Sequence, residues 1–177
     1  RQRNSRADEL HSIINAPPAS DSKLGASGAQ FVKNQDTYGV NALMMAGTAA
    51  LESGWGKSSI AKEKNNLFGL NAVDTSHGES ANSYKDVSTC LKDFAETYMS
   101  KQYLRPGCGT YKGAYLGNKG SGINVHYASD PFWGEKIANL MWSLDRTNGS
   151  KDYGKYSIGI KDLINSEHKI GRAHVRT

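Results

Sequence analysis

Long apolar runs are what this 177-residue chain most plainly lacks. No stretch approaches the roughly 20 residues that a membrane-crossing helix needs, so insertion into a bilayer is not expected. Cysteine is nearly absent: Cys90 and Cys108 are the only two, able to pair in an exported protein or to stay as thiols, and the lack of a Cys/His cluster around them argues against zinc. The five histidines, His11, His77, His126, His168 and His174, are dispersed without HExxH-type spacing, so no metal is expected. A phosphate-cradling glycine loop and a GxSxG nucleophile turn are both missing, and no cofactor is expected either.

Basic runs interleaved with aromatics, the usual mark of a nucleic-acid surface, are missing as well. The 22 Lys and Arg outnumber the 17 Asp and Glu for a net charge of +5, and the isoelectric point is near 9.1. That balance favours a polyanionic neighbour, which nucleic acid, anionic lipid or an acidic cell wall would satisfy equally. Scattered basic residues argue against nucleic acid. What is present suits one soluble, loop-rich domain with a real core: 37% hydrophobic residues, 22% charged and 19 glycines, with a mean hydropathy of -0.61. The chain begins at Arg1, without Met or a signal peptide, and reads as a piece of something longer.

The pattern is helical at both ends of the domain. Residues 1–12 read as linker or truncated flank, and Asn15–Gly28 is rich in turn residues, with Pro17 and Pro18 breaking any helix. A helix is expected over Ala29–Tyr38, stopped by Gly39. Asn41 suits an N-cap with Val40 packing behind it. Val40, Leu43, Met44, Gly47, Ala50 and Leu51 then share a face, and Ala46, Gly47, Ala49 and Ala50 allow a neighbour to approach closely. This central helix ends at Glu52, before Gly54-Trp55-Gly56.

Ser58–Lys64 reads as a short helix, Asn65–Leu70 as an extended segment, and the polar stretch Asn71–Tyr84 as a small two-stranded lobe. Leu91, Phe94, Ala95, Tyr98 and Met99 mark one half-buried helix capped by Asp86 or Ser88. Tyr103–His126 is a long glycine-rich loop. Asp130-Pro131 supplies an N-cap and a first helical proline, ahead of a stripe of Trp133, Ile137, Leu140, Met141 and Leu144. The resulting class is α+β, mostly α, with a domain over 13–150 and a polar tail over 151–177. Ile170-Gly171-Arg172-Ala173-His174-Val175 corresponds to one reading frame of a common sequencing-adapter oligonucleotide, so residues 170–177 are set aside.

Carboxylates are the chemistry that remains. Glu52 stands at a helix C-terminus, where unsatisfied carbonyls, the macrodipole and burial all favour the protonated form that a general acid needs. On pattern alone, a solvent-facing glutamate ending a helix is the simpler reading. Trp55 is either a core aromatic or a stacking platform for a sugar ring, and Tyr127 either a packed ring or a hydroxyl reaching a cleft. Asp130 is most simply a cap. Asp74, Glu79 and Asp86 are the carboxylates of the lobe.

Three blocks in order resemble glycoside hydrolase family 73, the bacterial and phage endo-β-N-acetylglucosaminidases that cut peptidoglycan: Ala50-Leu51-Glu52-Ser53-Gly54-Trp55-Gly56, Asn65-Asn66-Leu67-Phe68-Gly69-Leu70, and Tyr127-Ala128-Ser129-Asp130-Pro131 running into Trp133-Gly134-Glu135-Lys136-Ile137. The similarity extends over Ile13–Asp145. It implies a lysozyme-like fold with a small β-hairpin lobe beside a substrate groove. It also implies Glu52 as catalytic acid, Tyr127 as a supporting cleft residue, and Trp55, Phe68, Asn66 and Asp130 as substrate-binding. Glu79 is the nearest equivalent of a second, water-activating carboxylate, with Asp74 and Asp86 as rivals. The implied partner is the peptidoglycan glycan strand, met by a monomer that is secreted or associated with the wall. A muramidase or lytic transglycosylase of the same fold, and a non-catalytic wall-binding module, stand as alternatives.

Overall fold

The computed structural model describes residues 22–25, 27–72, 80–147 and 149–152, together with the backbone of two short strands in the tail. The first helix, α1, spans Gly28–Tyr38, and Gly39 ends it in a left-handed conformation with its N–H returned to the Gln35 carbonyl. Helix α2 spans Ala42–Ser53, and the Asn41 side chain accepts from the Met44 N–H at 2.9 Å. Val40 before that cap is fully buried, as a hydrophobic staple requires.

Nine consecutive residues of α2, Ala42 to Ala50, are buried. A helix enclosed all round is a core helix, and the others assemble about this one. Helix α3 (Ser59–Lys64) is capped by Ser58, and α4 (Val87–Asp93) by Asp86, whose carboxylate accepts from the Thr89 N–H. Helix α5 (Trp133–Thr147) packs along α2, and α1 packs on both α2 and α4. Leu24, Phe31, Met45, Leu67, Leu91, Phe94, Met99, Trp133 and Ile137 fill the space between them.

Three expectations are corrected. The helix carrying Leu91, Phe94 and Met99 is not one α-helix: from Phe94 to Tyr103 it winds as a π-helix. The wider i→i+5 bonding puts Phe94 and Met99 both on the buried side. Asn65–Leu70 is not extended, because the Asn66 side chain folds it into a compact turn. Helix α5 begins at Trp133 rather than Pro131, since Asp130 caps a turn over Pro131 and Phe132 instead.

The expected hairpin lobe falls largely on residues 73–79, outside the described residues, and its described flanks carry no strand. Among the described residues, the strands are Gly159–Ile160 and Gly171–Arg172, which pair antiparallel in the tail. Both cysteines are free thiols, and burial pushes the Cys90 thiol up to about 12. Residues 1–12 lie outside the described part. The described fold is mostly helical.

Candidate active site

The last turn of α2 delivers Glu52 to the surface through an unusual stop. Gly54, Trp55 and Gly56 all adopt positive φ, at 55°, 60° and 74°, the left-handed region that bulky residues avoid. Holding Trp55 there costs about 1–3 kcal/mol, and the surroundings supply the restraint. The Ser53 hydroxyl donates to the Ala49 carbonyl and accepts from the Gly56 N–H. The Trp55 carbonyl accepts from the Ser22 hydroxyl, while the half-buried Trp55 ring packs on the core. At Gly56 a Cβ would lie 2.8 Å from the backbone nitrogens of Lys23 and Leu24, so this position requires glycine on two counts.

From the opposite side, the first residue of α5 reaches the acid. The Trp133 Nε1–H donates to Glu52 Oε1 at 3.0 Å, and the Trp133 ring is 2% exposed. Tyr127 leans on that ring at 4.5 Å and meets Tyr103 and Phe94 edge-on at 5.4 and 6.3 Å. Phe94 stacks flat on Phe68 at 3.7 Å. An unbroken aromatic row thus runs from Phe68 to the indole that holds Glu52, joining all three sequence blocks.

This packing sets the protonation. Glu52 is exposed on one side, yet crowding on the other desolvates its carboxyl and raises its pKa, with the hydrogen bond from Trp133 opposing the rise. Burial is therefore the leading cause. Tyr127 is pushed well above the ordinary phenol range, first by burial and then by the Glu52 charge. It stays a neutral hydroxyl.

The loop bearing Tyr127 is held from beneath. Lys119 Nζ donates to the carbonyls of Asn124, Val125 and Ala128 at 2.8, 3.2 and 2.6 Å. The buried Asn124 amide donates to the Asp130 carbonyl at 2.9 Å. Gly134 completes the fit, because a Cβ there would sit 2.1 Å from the Gly117 carbonyl oxygen.

The remaining candidates divide. Phe68 is buried under the aromatic row. Asn66, 1% exposed, accepts from the Phe68 and Leu70 N–H groups and donates to the Leu70 and Asn82 carbonyls, so its amide is spent inside the protein. Asp130 pairs with Lys136 at 2.6 Å and accepts from the Phe132 N–H, which together lower its pKa. Asp86 is a helix cap, held ionised by Thr89. Glu79 and Asp74 lie outside the described residues. Sequence reasoning missed Phe94, Tyr103, Lys119 and the Trp133 donor bond. Trp133 stood in a quoted block but read as helix core, and nothing local distinguishes an indole that also donates. Among the described residues no three metal-ligating side chains gather, and no helix is long and apolar enough to cross a membrane.

A glucosaminidase profile, described as mannosyl-glycoprotein endo-beta-N-acetylglucosaminidase, matches residues 28–146. Two proteins provisionally named endo-beta-N-acetylglucosaminidase, from Streptococcus pneumoniae serotype 4 and from a second S. pneumoniae strain, are each 41% identical over 149 residues. The match covers 84% of this chain but 22% and 20% of theirs, so the chain spans about a fifth of those relatives. Among solved structures, S. aureus Autolysin E superposes with a TM-score of 0.62 at 23% identity, over 81% of this chain and 67% of that one. A catalytic mutant of Autolysin E in complex with the disaccharide NAG-NAM gives 0.58 at 22% identity, over 81% and 68%. These two show a shared fold.

Proposed function

The chain belongs to the glucosaminidase family, and on that premise we propose that it is a peptidoglycan hydrolase, of autolysin or phage endolysin type, with Glu52 as general acid. The bond broken is the β-1,4 link between N-acetylglucosamine and N-acetylmuramic acid. The observation that carries this reading is the Glu52 carboxyl, exposed to substrate yet desolvated toward its protonated form and held by Trp133. The NAG-NAM disaccharide bound by an Autolysin E mutant supports the same substrate class here.

In this mechanism Glu52 protonates the glycosidic oxygen as the bond breaks, and the neutral Tyr127 hydroxyl steadies the sugar beside it. Trp55 and Phe68 shape the glycan groove, Asn66 by holding the Phe68 turn, and Asp130 borders its far end. Glu79 is the favoured second carboxylate. Were it the base of an inverting reaction, it would stand roughly 6.5–9.5 Å from Glu52 with water between them. A substrate-assisted route through the N-acetyl oxygen needs no such partner. The protein acts as a monomer in the wall or outside the cell, which light scattering and fractionation would check.

One experiment tests the assignment: mass spectrometry of the reducing ends released from purified peptidoglycan by wild type, Glu52→Gln and Glu79→Gln. N-acetylglucosamine ends are expected from wild type and none from Glu52→Gln. N-acetylmuramic acid or anhydro ends would identify a muramidase or transglycosylase, and binding without release a wall-binding module. A fully active Glu79→Gln would favour the substrate-assisted route.

A further inference from the structure

We propose that Trp133 is a positioning residue whose indole N–H fixes the acidic proton of Glu52 on Oε2, the oxygen it does not hold. The proposal rests on the reading of Glu52 as general acid and goes beyond it by naming which oxygen delivers the proton. An indole nitrogen can donate a hydrogen bond and cannot accept one. A neutral carboxyl carries one O–H donor and one carbonyl acceptor. The oxygen that faces Trp133 Nε1 at 3.0 Å, Oε1, takes the carbonyl role because the carbonyl is the stronger acceptor of the two, which leaves the proton on Oε2. Among the described residues Oε2 has no hydrogen-bond partner, while Glu52 as a whole is exposed. The proton is presented to whatever occupies that open side.

The donor cannot swing away. Trp133 is 2% exposed, Tyr127 braces its ring at 4.5 Å, and the adjacent Gly134 lets the 117 loop close down on the start of α5. Tyr127 is the titratable side chain facing Glu52, and burial keeps it neutral. No charged group among the described residues acts on the Glu52 carboxyl. Its orientation therefore answers to the indole, and its titration to burial first and to the indole second. Correct placement matters because general acid catalysis contributes about 10²–10⁴-fold only when the proton lies in line with its target.

The test removes the N–H and keeps the ring. Position 133 is filled with the benzothiophene analogue of tryptophan, in which sulfur replaces the N–H, beside Trp133→Phe and Glu52→Gln. Readouts are kcat and KM on purified peptidoglycan across pH, thermal midpoint, and carbon-13 titration of the Glu52 carboxyl. The analogue should keep the wild-type midpoint and hold KM within about twofold while kcat drops roughly 10–100-fold. The Glu52 titration and the upper limb of the kcat profile should both move to higher pH, because the lost bond favoured the charged form. Unchanged kcat, or an unmoved Glu52 titration, in a folded analogue overturns the role of Trp133. If that happens while Glu52→Gln is inactive, the acid assignment survives alone; an active Glu52→Gln overturns both.

Discussion

Two neighbouring regions of the molecule are built on opposite principles. Around Glu52 the material is aromatic and apolar, with Trp133 and Tyr127 on one side and a single donor reaching the carboxyl. Around Asn66 it is polar: Asn65, Asn66, Asn71, Asn82 and Tyr84 bond to one another and to main chain, ending at Asp93, where the Tyr84 hydroxyl donates at 2.7 Å. The first region leaves a carboxyl under-solvated and therefore ready to hold a proton. The second leaves neither end of its central asparagine's side-chain amide unused. A shifted pKa goes with incomplete satisfaction, and rigidity with complete satisfaction; the stacked Phe68–Phe94 pair joins the two.

The largest break in this contrast should come from Asn66→Ala. It removes four internal hydrogen bonds at a residue 1% exposed, and unsatisfied buried groups cost about 1–3 kcal/mol each. A loss of about 2–4 kcal/mol is expected, read as a lower urea midpoint with an unchanged slope. A midpoint at the wild-type value would show that water replaces the amide freely.

Glu52→Gln should act in the other direction and more weakly. The folded-state pKa of Glu52 lies above its ordinary 4.5, so its contribution to stability is complete below that value and is lost as pH rises through the folded-state pKa. Wild type should therefore lose stability over this window while Glu52→Gln does not. Denaturation curves at acid and neutral pH would reveal it; a constant difference between the two proteins would contradict a desolvated acid.

The smallest effect belongs to Gly47→Ala, inside α2. A Cβ there would meet Leu140 Cβ at 3.5 Å and Met141 Cγ at 3.7 Å, ordinary contact distances. The variant should match or exceed wild type by about 0.5–1 kcal/mol, because the helix gains propensity without a clash. A drop in thermal midpoint would mean that α2 and α5 lie closer than these distances.

Local devices were legible in the sequence. Asn41 and Asp86 cap helices as their side-chain chemistry dictates, and the close of α2 falls one residue beyond Glu52. Each of these depends on neighbours within a turn. The indole bond to Glu52 was not legible, because helical spacing places Trp133 on a buried stripe and is silent on where its N–H points. Nor was the role of Asn66, since a polar residue before Leu67-Phe68 fits an exposed turn as well as an internal one. The π-winding after Phe94 escaped for a related reason: Leu91, Phe94, Ala95 and Met99 satisfy the α period and the wider winding alike.

The hydrogen bond between Trp133 and Glu52 spans 81 positions of chain. Closing so large a separation costs more loop entropy than forming the local turns and caps. Until α5 docks on α2, Glu52 lacks both the crowding and the indole donor that act on its carboxyl. The raised carboxyl is thus a product of tertiary packing: a partly opened chain carries the residue without the surroundings that desolvate it.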